Sequence, residues 1–197
     1  MMAYRHGVYV SEVPTSVSPP VEASAGLPVV VGTAPIHLAE TQEYVNKPLL
    51  AYTYEEAVKA LGYSANWKAY TLCEFIKSQF QLFGVGPVVF INVLDPNKHK
   101  KSVAAETAEL DVIKGQATLQ KDGVLLKTVT VKSADGQTTY VKDVDYTLAF
   151  NDNGQAVVTR IPNGNIPAGA TLSVDYEYLD ASAVTAADII GGVDGTT

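Results

Sequence analysis

Apolar and polar positions follow different periods along this chain, and the changes of period divide it. Pro28-Val29-Val30-Val31-Gly32 is a near-continuous apolar run, the pattern of a short strand buried on both faces. Thr53-Tyr54-Glu55-Glu56 fits a capping box, in which a hydroxyl and a carboxylate satisfy free amides at a helix start. The helix it predicts is short and stops at Gly62. A second helix is predicted from about Asn66 to Phe83, because Ala69, Leu72, Cys73, Ile76, Phe80 and Phe83 recur at three- and four-residue steps. Gly84 ends it, and Pro87 to Leu94 reads as a second buried strand. Strand, helices and strand make a βαβ unit.

The period changes after residue 100. Val103 to Asp111 is compatible with a helical turn or a linker, and from Lys114 the alternation has the period of two that marks strands. Val129 and Val131 oppose Thr128 and Thr130; Tyr146, Leu148 and Phe150 share a face; Leu172, Val174, Tyr176 and Tyr178 alternate with Ser173, Asp175 and Glu177. Asp122-Gly123, Asp135-Gly136, Asn153-Gly154 and Asn163-Gly164 are turn signals between these runs. Together they predict an antiparallel sandwich or barrel of roughly six strands over about 114–179. Thr185 to Ile190 then reads as a short helix ended by Gly191-Gly192.

Residues 1–27 have neither period. Val8-Tyr9-Val10-Ser11-Glu12-Val13 has strand chemistry but no hairpin partner nearby, and Ser16, Ser18, Pro19, Pro20 and Ser24 favour extended backbone. Such an arm suits addition to the sheet of another subunit. The expected class is therefore α+β. An extended arm (1–27) precedes the first part of an α/β core (28–112); an inserted antiparallel β domain (113–180) follows, then a return to the core (181–197). Two buried strands and one long helix are too few to cover both faces of a parallel sheet. The core begun at Pro28 is thus expected to be completed by a longer polypeptide or by other chains.

Composition narrows the function. The 197 residues are 47% hydrophobic with a net charge of -7, which is a folded chain and not a disordered one. Residues 1–100 hold seven Lys/Arg against eight Asp/Glu, and 101–197 hold seven against thirteen. The acidic second half disfavours nucleic-acid binding. No apolar run approaches the roughly 18 residues of a membrane span.

Candidate chemistry is thin. Cys73, the single cysteine, lies on the apolar face of the second helix with no histidine near it in sequence, and reads as core. His6, His37 and His99 lie far apart without metal-ligand spacing and read as surface or arm residues. No phosphate-binding glycine loop or nucleophile elbow is present. Asn151-Asp152-Asn153-Gly154 lacks the alternating carboxylates of a calcium loop and reads as a hairpin turn; Asp143 and Asp145 read as solvated. The residues point to no catalytic, metal or cofactor site.

His6-Gly7-Val8-Tyr9-Val10-Ser11-Glu12-Val13-Pro14, Pro19-Pro20-Val21 and Gly26 to Pro35 resemble the start of the sheath proteins of contractile tails, found in long-tailed bacteriophages, R-type bacteriocins and related injection particles. Val184 to Gly192 resembles the place where that family re-enters its core after a β-rich insertion. The resemblance implies a structural subunit of a virion tail, assembled in a bacterial cytoplasm, that stacks in hexameric rings or a helical lattice around a tail tube protein. Baseplate and tail terminator proteins would be further partners. It also implies that Val8, Tyr9, Val10, Ser11, Glu12 and Val13 form an inter-subunit arm strand, and that the β insertion faces outward. A second reading makes the β-rich part a surface or carbohydrate-binding module on a small α/β base, with Tyr140, Tyr146, Tyr176 and Tyr178 as its aromatics. The alternation sets Tyr176 and Tyr178 on the apolar face, which favours core for those two.

Overall fold

The expected parallel pairing forms, and a strand with no periodic signal completes its sheet. The computed structural model describes residues 26–111 and 113–190. Strands β1 (Val29–Gly32) and β3 (Val88–Asn92) run parallel, with Val29 opposite Val89 and Gly32 opposite Asn92. Between them the chain makes β2 (Pro48–Ala51), which pairs antiparallel with the other side of β3, so the sheet order is β1-β3-β2. The first residue of β2 is a proline, tolerable because β2 is an edge strand.

Helix α1 (Tyr54–Leu61) starts as its capping residues dictate. Thr53 Oγ1 accepts from the Glu56 amide at 3.2 Å, while the Glu56 carboxylate reaches back to the Tyr52 amide at 2.8 Å. Gly62 ends the helix at φ +75°, where a Cβ would stand 2.3 Å from the Pro35 carbonyl oxygen. The second helix starts later than its periodicity suggests. Thr33 at the end of β1 takes the amide of Thr71 on its hydroxyl (3.1 Å) and the amide of Leu72 on its carbonyl (3.0 Å). Those bonds leave residues 66–70 as turn and open helix α2 at Thr71–Ile76. It widens into a π-type segment, Lys77–Leu82, and stops at Gly84 with φ +62°. Leu72, Cys73 and Ile76 are buried as expected, whereas Phe83 is exposed.

The β-rich part contains six strands: β4 (Lys100–Glu109), β5 (Gln116–Thr118), β6 (Thr130–Ser133), β7 (Tyr146–Phe150), β8 (Ala156–Arg160) and β9 (Thr171–Leu179). They form two antiparallel sheets, β4-β9-β6 and β5-β8-β7. Val131, Val158, Leu172, Val174 and Tyr176 join one core between them. Both sheets are open, so the barrel alternative is not what forms. Segment 103–111, compatible in sequence with a helical turn or linker, is mostly strand β4. Only Ala108 of that strand is buried, and a bulge at Ala105, with φ +55°, breaks its alternation. Asn153-Gly154 closes the β7–β8 hairpin, whereas Asn163-Gly164 lies in a longer connection to β9.

Three polar residues are more enclosed than their sequence context suggests. Asp145 is buried: its carboxylate accepts from the Val141 amide, the Asn165 amide and the Asn165 side chain, each at 2.8 Å. These bonds hold its carboxyl below the usual carboxylate range. His99 is 3% exposed and so is not a surface residue, while His37 is half-buried with its ring near those of Tyr70 and Phe150.

A candidate assembly surface

Covering one face of the β1-β3-β2 sheet uses both helices. Leu49 and Ala51 of β2 and Val88 and Phe90 of β3 pack with Ala57 and Leu61 of α1 and Leu72, Cys73 and Ile76 of α2. The opposite face has no such cover. Register aligns Val31, Ile91 and Pro48 across it, and Val29, Val89 and Leu50 beside them. Val29 is 58% exposed, Val31 41% and Leu50 44%. The reading of Val29–Gly32 as a strand buried on both faces is therefore corrected: within the described residues only one face is covered. Among those residues β1 also pairs with β3 alone, which leaves its outer edge open. Beyond one end of the sheet, Tyr52, Leu82, Phe83 and Val85 are exposed as well.

Helix α3 (Ala186–Ile190), at the rim of this face, is the helix expected over 185–190. A groove of about 610 Å³ runs between Val31, Ile91 and Val93 on the sheet side and Asp188 and Ile189 on the helix side. Asp188 fixes the helix. Its Oδ2 accepts from the Thr185 amide at 2.8 Å and the Thr185 hydroxyl at 2.7 Å, a local cap. Its Oδ1 is paired with the Lys98 ammonium and faces His99 Nε2 at 3.4 Å. The Lys98 bond, then those from Thr185, keep this carboxyl well below the usual carboxylate range.

The same place carries the chain's two crossings between its α/β and β-rich parts. The Asp180 amide donates to the His99 carbonyl at 2.9 Å, and Lys101 Nζ meets Asp180 Oδ2 at 2.6 Å. The outgoing crossing (Asp95 to Lys101) and the returning one (Leu179 to Asp188) are thus laced together by polar bonds. Sequence reasoning missed this clasp because its partners lie on either side of the whole β-rich part. The only local signal was Thr185-x-x-Asp188, a capping spacing.

Among the described residues no reactive constellation accompanies this surface. Cys73 is buried, and burial pushes its thiol up to about 11, which leaves little thiolate at neutral pH. Among the described residues no three metal-binding side chains converge, and no helix is long and apolar enough to cross a membrane. Tyr146 and Tyr176 are buried, while Tyr140 and Tyr178 pack against the same core. Val8, Tyr9, Val10, Ser11, Glu12 and Val13 lie outside the described residues.

A family model described as "Protein of unknown function UCP028589" matches residues 69–188, from the turn before α2 to Asp188. Over 192 residues, 97% of its length, the chain is 34% identical to a protein named "Tail sheath protein" from Burkholderia phage BcepMu. The chain spans 37% of the length of that curated relative. No solved structure matches the chain significantly.

Proposed function

We propose that this chain, which belongs to the family described as "Protein of unknown function UCP028589", is the N-terminal portion of a phage tail sheath protein, a structural component of the virion. The 34% identity to a named tail sheath protein along 97% of the chain carries this reading. Its work is mechanical and not enzymatic. Copies associate with one another and with tail tube, baseplate and terminator proteins, forming stacked rings or a helical lattice whose contraction drives the tube through a host envelope.

The uncovered sheet face supports the reading in physical terms. Val29, Val31 and Leu50 place large apolar side chains in water on a strand-built surface. Full burial of such a side chain contributes roughly 1.5–3 kcal/mol, and about half of that remains to be gained on each of these half-exposed residues. The rest of the longer sheath polypeptide packs on this face and completes the α/β core. The β-rich part is then an insertion on the outside of the particle.

The arm strand Val8–Val13 is the link between subunits. A strand of that length adds about four to six backbone bonds, each worth roughly 0.5–1.5 kcal/mol net. One link is modest once the arm's ordering is charged against it, but repetition along a polymer holds the lattice while each contact stays deformable. Deleting residues 1–20 from the full-length protein tests this. The expected result is folded subunits that form no long polymers in electron micrographs. Sheaths of normal length from the deletion variant would refute the arm's role.

A further inference from the structure

His37 sits in the turn after β1, where the α/β part meets the tip of the β7–β8 hairpin. Its ring packs edge-on against Phe150 of β7, with centroids 5.5 Å apart, and lies 5.9 Å from the ring of Tyr70. Leu38 touches the hairpin turn so closely that a Cβ on Gly154 would stand 3.0 Å from its Cδ1. Among the described residues the His37 Nδ1 is shut off from solvent and has no hydrogen-bond partner. A neutral ring tolerates this. An imidazolium carries an N–H on both nitrogens, so protonation would leave a charged donor at Nδ1 without an acceptor, on the side of the ring closed to water.

Among the described residues no acceptor reaches Nδ1. A cavity of about 600 Å³ runs beside the joint, and Glu40, Lys100, Lys127 and Glu177 are the charged groups lining it. Glu40 already pairs with Lys59 at 3.0 Å, and Glu177 with Lys100 at 2.7 Å. Tyr70 stays neutral in acid, its phenol pushed up by burial. Burial lowers the His37 imidazole from its ordinary value to about 4. A lowered histidine value means that the closed joint is favoured at neutral pH and loses stability as pH falls below about 6.5.

We propose that His37 is an acid-sensitive latch: when neutral it holds the β7–β8 hairpin against the turn after β1, and when protonated it lets the hairpin swing away. The inference rests on the joint alone and is independent of the sheath assignment. The cavity beside it gives the released ring access to water.

The test is an NMR pH titration of the 197-residue chain, with amide protection factors for 151–155 measured in parallel. The His37 ring should titrate with a midpoint near 4. Hairpin protection should fall on the order of 50-fold between pH 7 and pH 4.5, the ratio given by that shift from 6.5. Amides of β6 and β9 should keep their protection, and a His37→Phe variant should keep the hairpin closed throughout. A midpoint near 6.5, an equal loss across β6 and β9, or unchanged pH dependence in the variant would overturn the latch. If the variant fails to fold, the titration of the unmodified chain still decides.

Discussion

The Nε2 of His99 stands 3.4 Å from Oδ1 of Asp188, although one residue precedes the β-rich part and the other follows it. The Asp95 amide donates to His99 Nδ1 at 3.0 Å, which leaves Nε2 as the ring nitrogen on the side of the carboxylate. Asp188 collects donors from Lys98 and from the amide and hydroxyl of Thr185. Asp188→Asn keeps the shape of the group but removes its charge. The variant should have a lower thermal midpoint at pH 7. A depressed carboxylate value contributes stability that is present above the ordinary value, about 4, and is lost as pH falls below it. The gap between wild type and variant should therefore narrow in acid. An equal gap at pH 7 and pH 3 would show that the charge is not what holds the crossings together.

Asn92 works in a drier place, and its loss has a calculable cost. It is fully buried at the end of β3, and its Oδ1 accepts from the amides of Ala34 and Leu94, both at 3.0 Å. Asn92→Ala would strand two buried N–H groups, at about 1–3 kcal/mol each. Urea denaturation should show a loss of at least about 2 kcal/mol. A loss under about 0.5 kcal/mol would mean that water replaces the side chain.

The helix-start chemistry was legible locally, and its weight can be measured. Thr53→Ala removes the oxygen that accepts from the Glu56 amide, a change worth about 1 kcal/mol in comparable caps. Thr53→Ser should recover most of it. Equal destabilisation by both substitutions would point to the threonine methyl and away from the cap.

What could be read from sequence had short-range physical causes. Thr53 and Glu56 mark a helix start because both bonds close within one turn. Leu172, Val174 and Tyr176 mark β9 because it is the middle strand of its sheet, with one face on the core. Strand β4 escaped because it is an edge strand that borrows its order from β9 and buries little of its own. Strand β2 escaped because Pro48-Leu49-Leu50-Ala51 opens on a proline and lacks the β-branched run that marks β1. The burial of Asp145 and His99 depends on partners that only the fold brings together, such as Asn165 and Asp188. The candidate surface was half visible: too little helix for the sheet was countable from sequence, but which face stays open was not. Val29 and Val31 look like core residues until the register sets them opposite Val89 and Ile91.

The open face makes the sharpest test of the assembly reading. Val31 is 41% exposed, so Val31→Glu should cost the 197-residue chain only on the order of 1 kcal/mol, the scale of a strand-propensity change. In the full-length protein the same carboxylate would have to enter an apolar contact without a partner, which costs several kcal/mol. Full-length Val31→Glu should therefore melt at a lower temperature than wild type and form no sheath in electron micrographs, while Val31→Ile should assemble normally. A full-length Val31→Glu protein that is stable and polymerises would mean that this face stays in water in the particle. The packing role would then have to move to the exposed cluster of Tyr52, Leu82, Phe83 and Val85 at the end of the sheet.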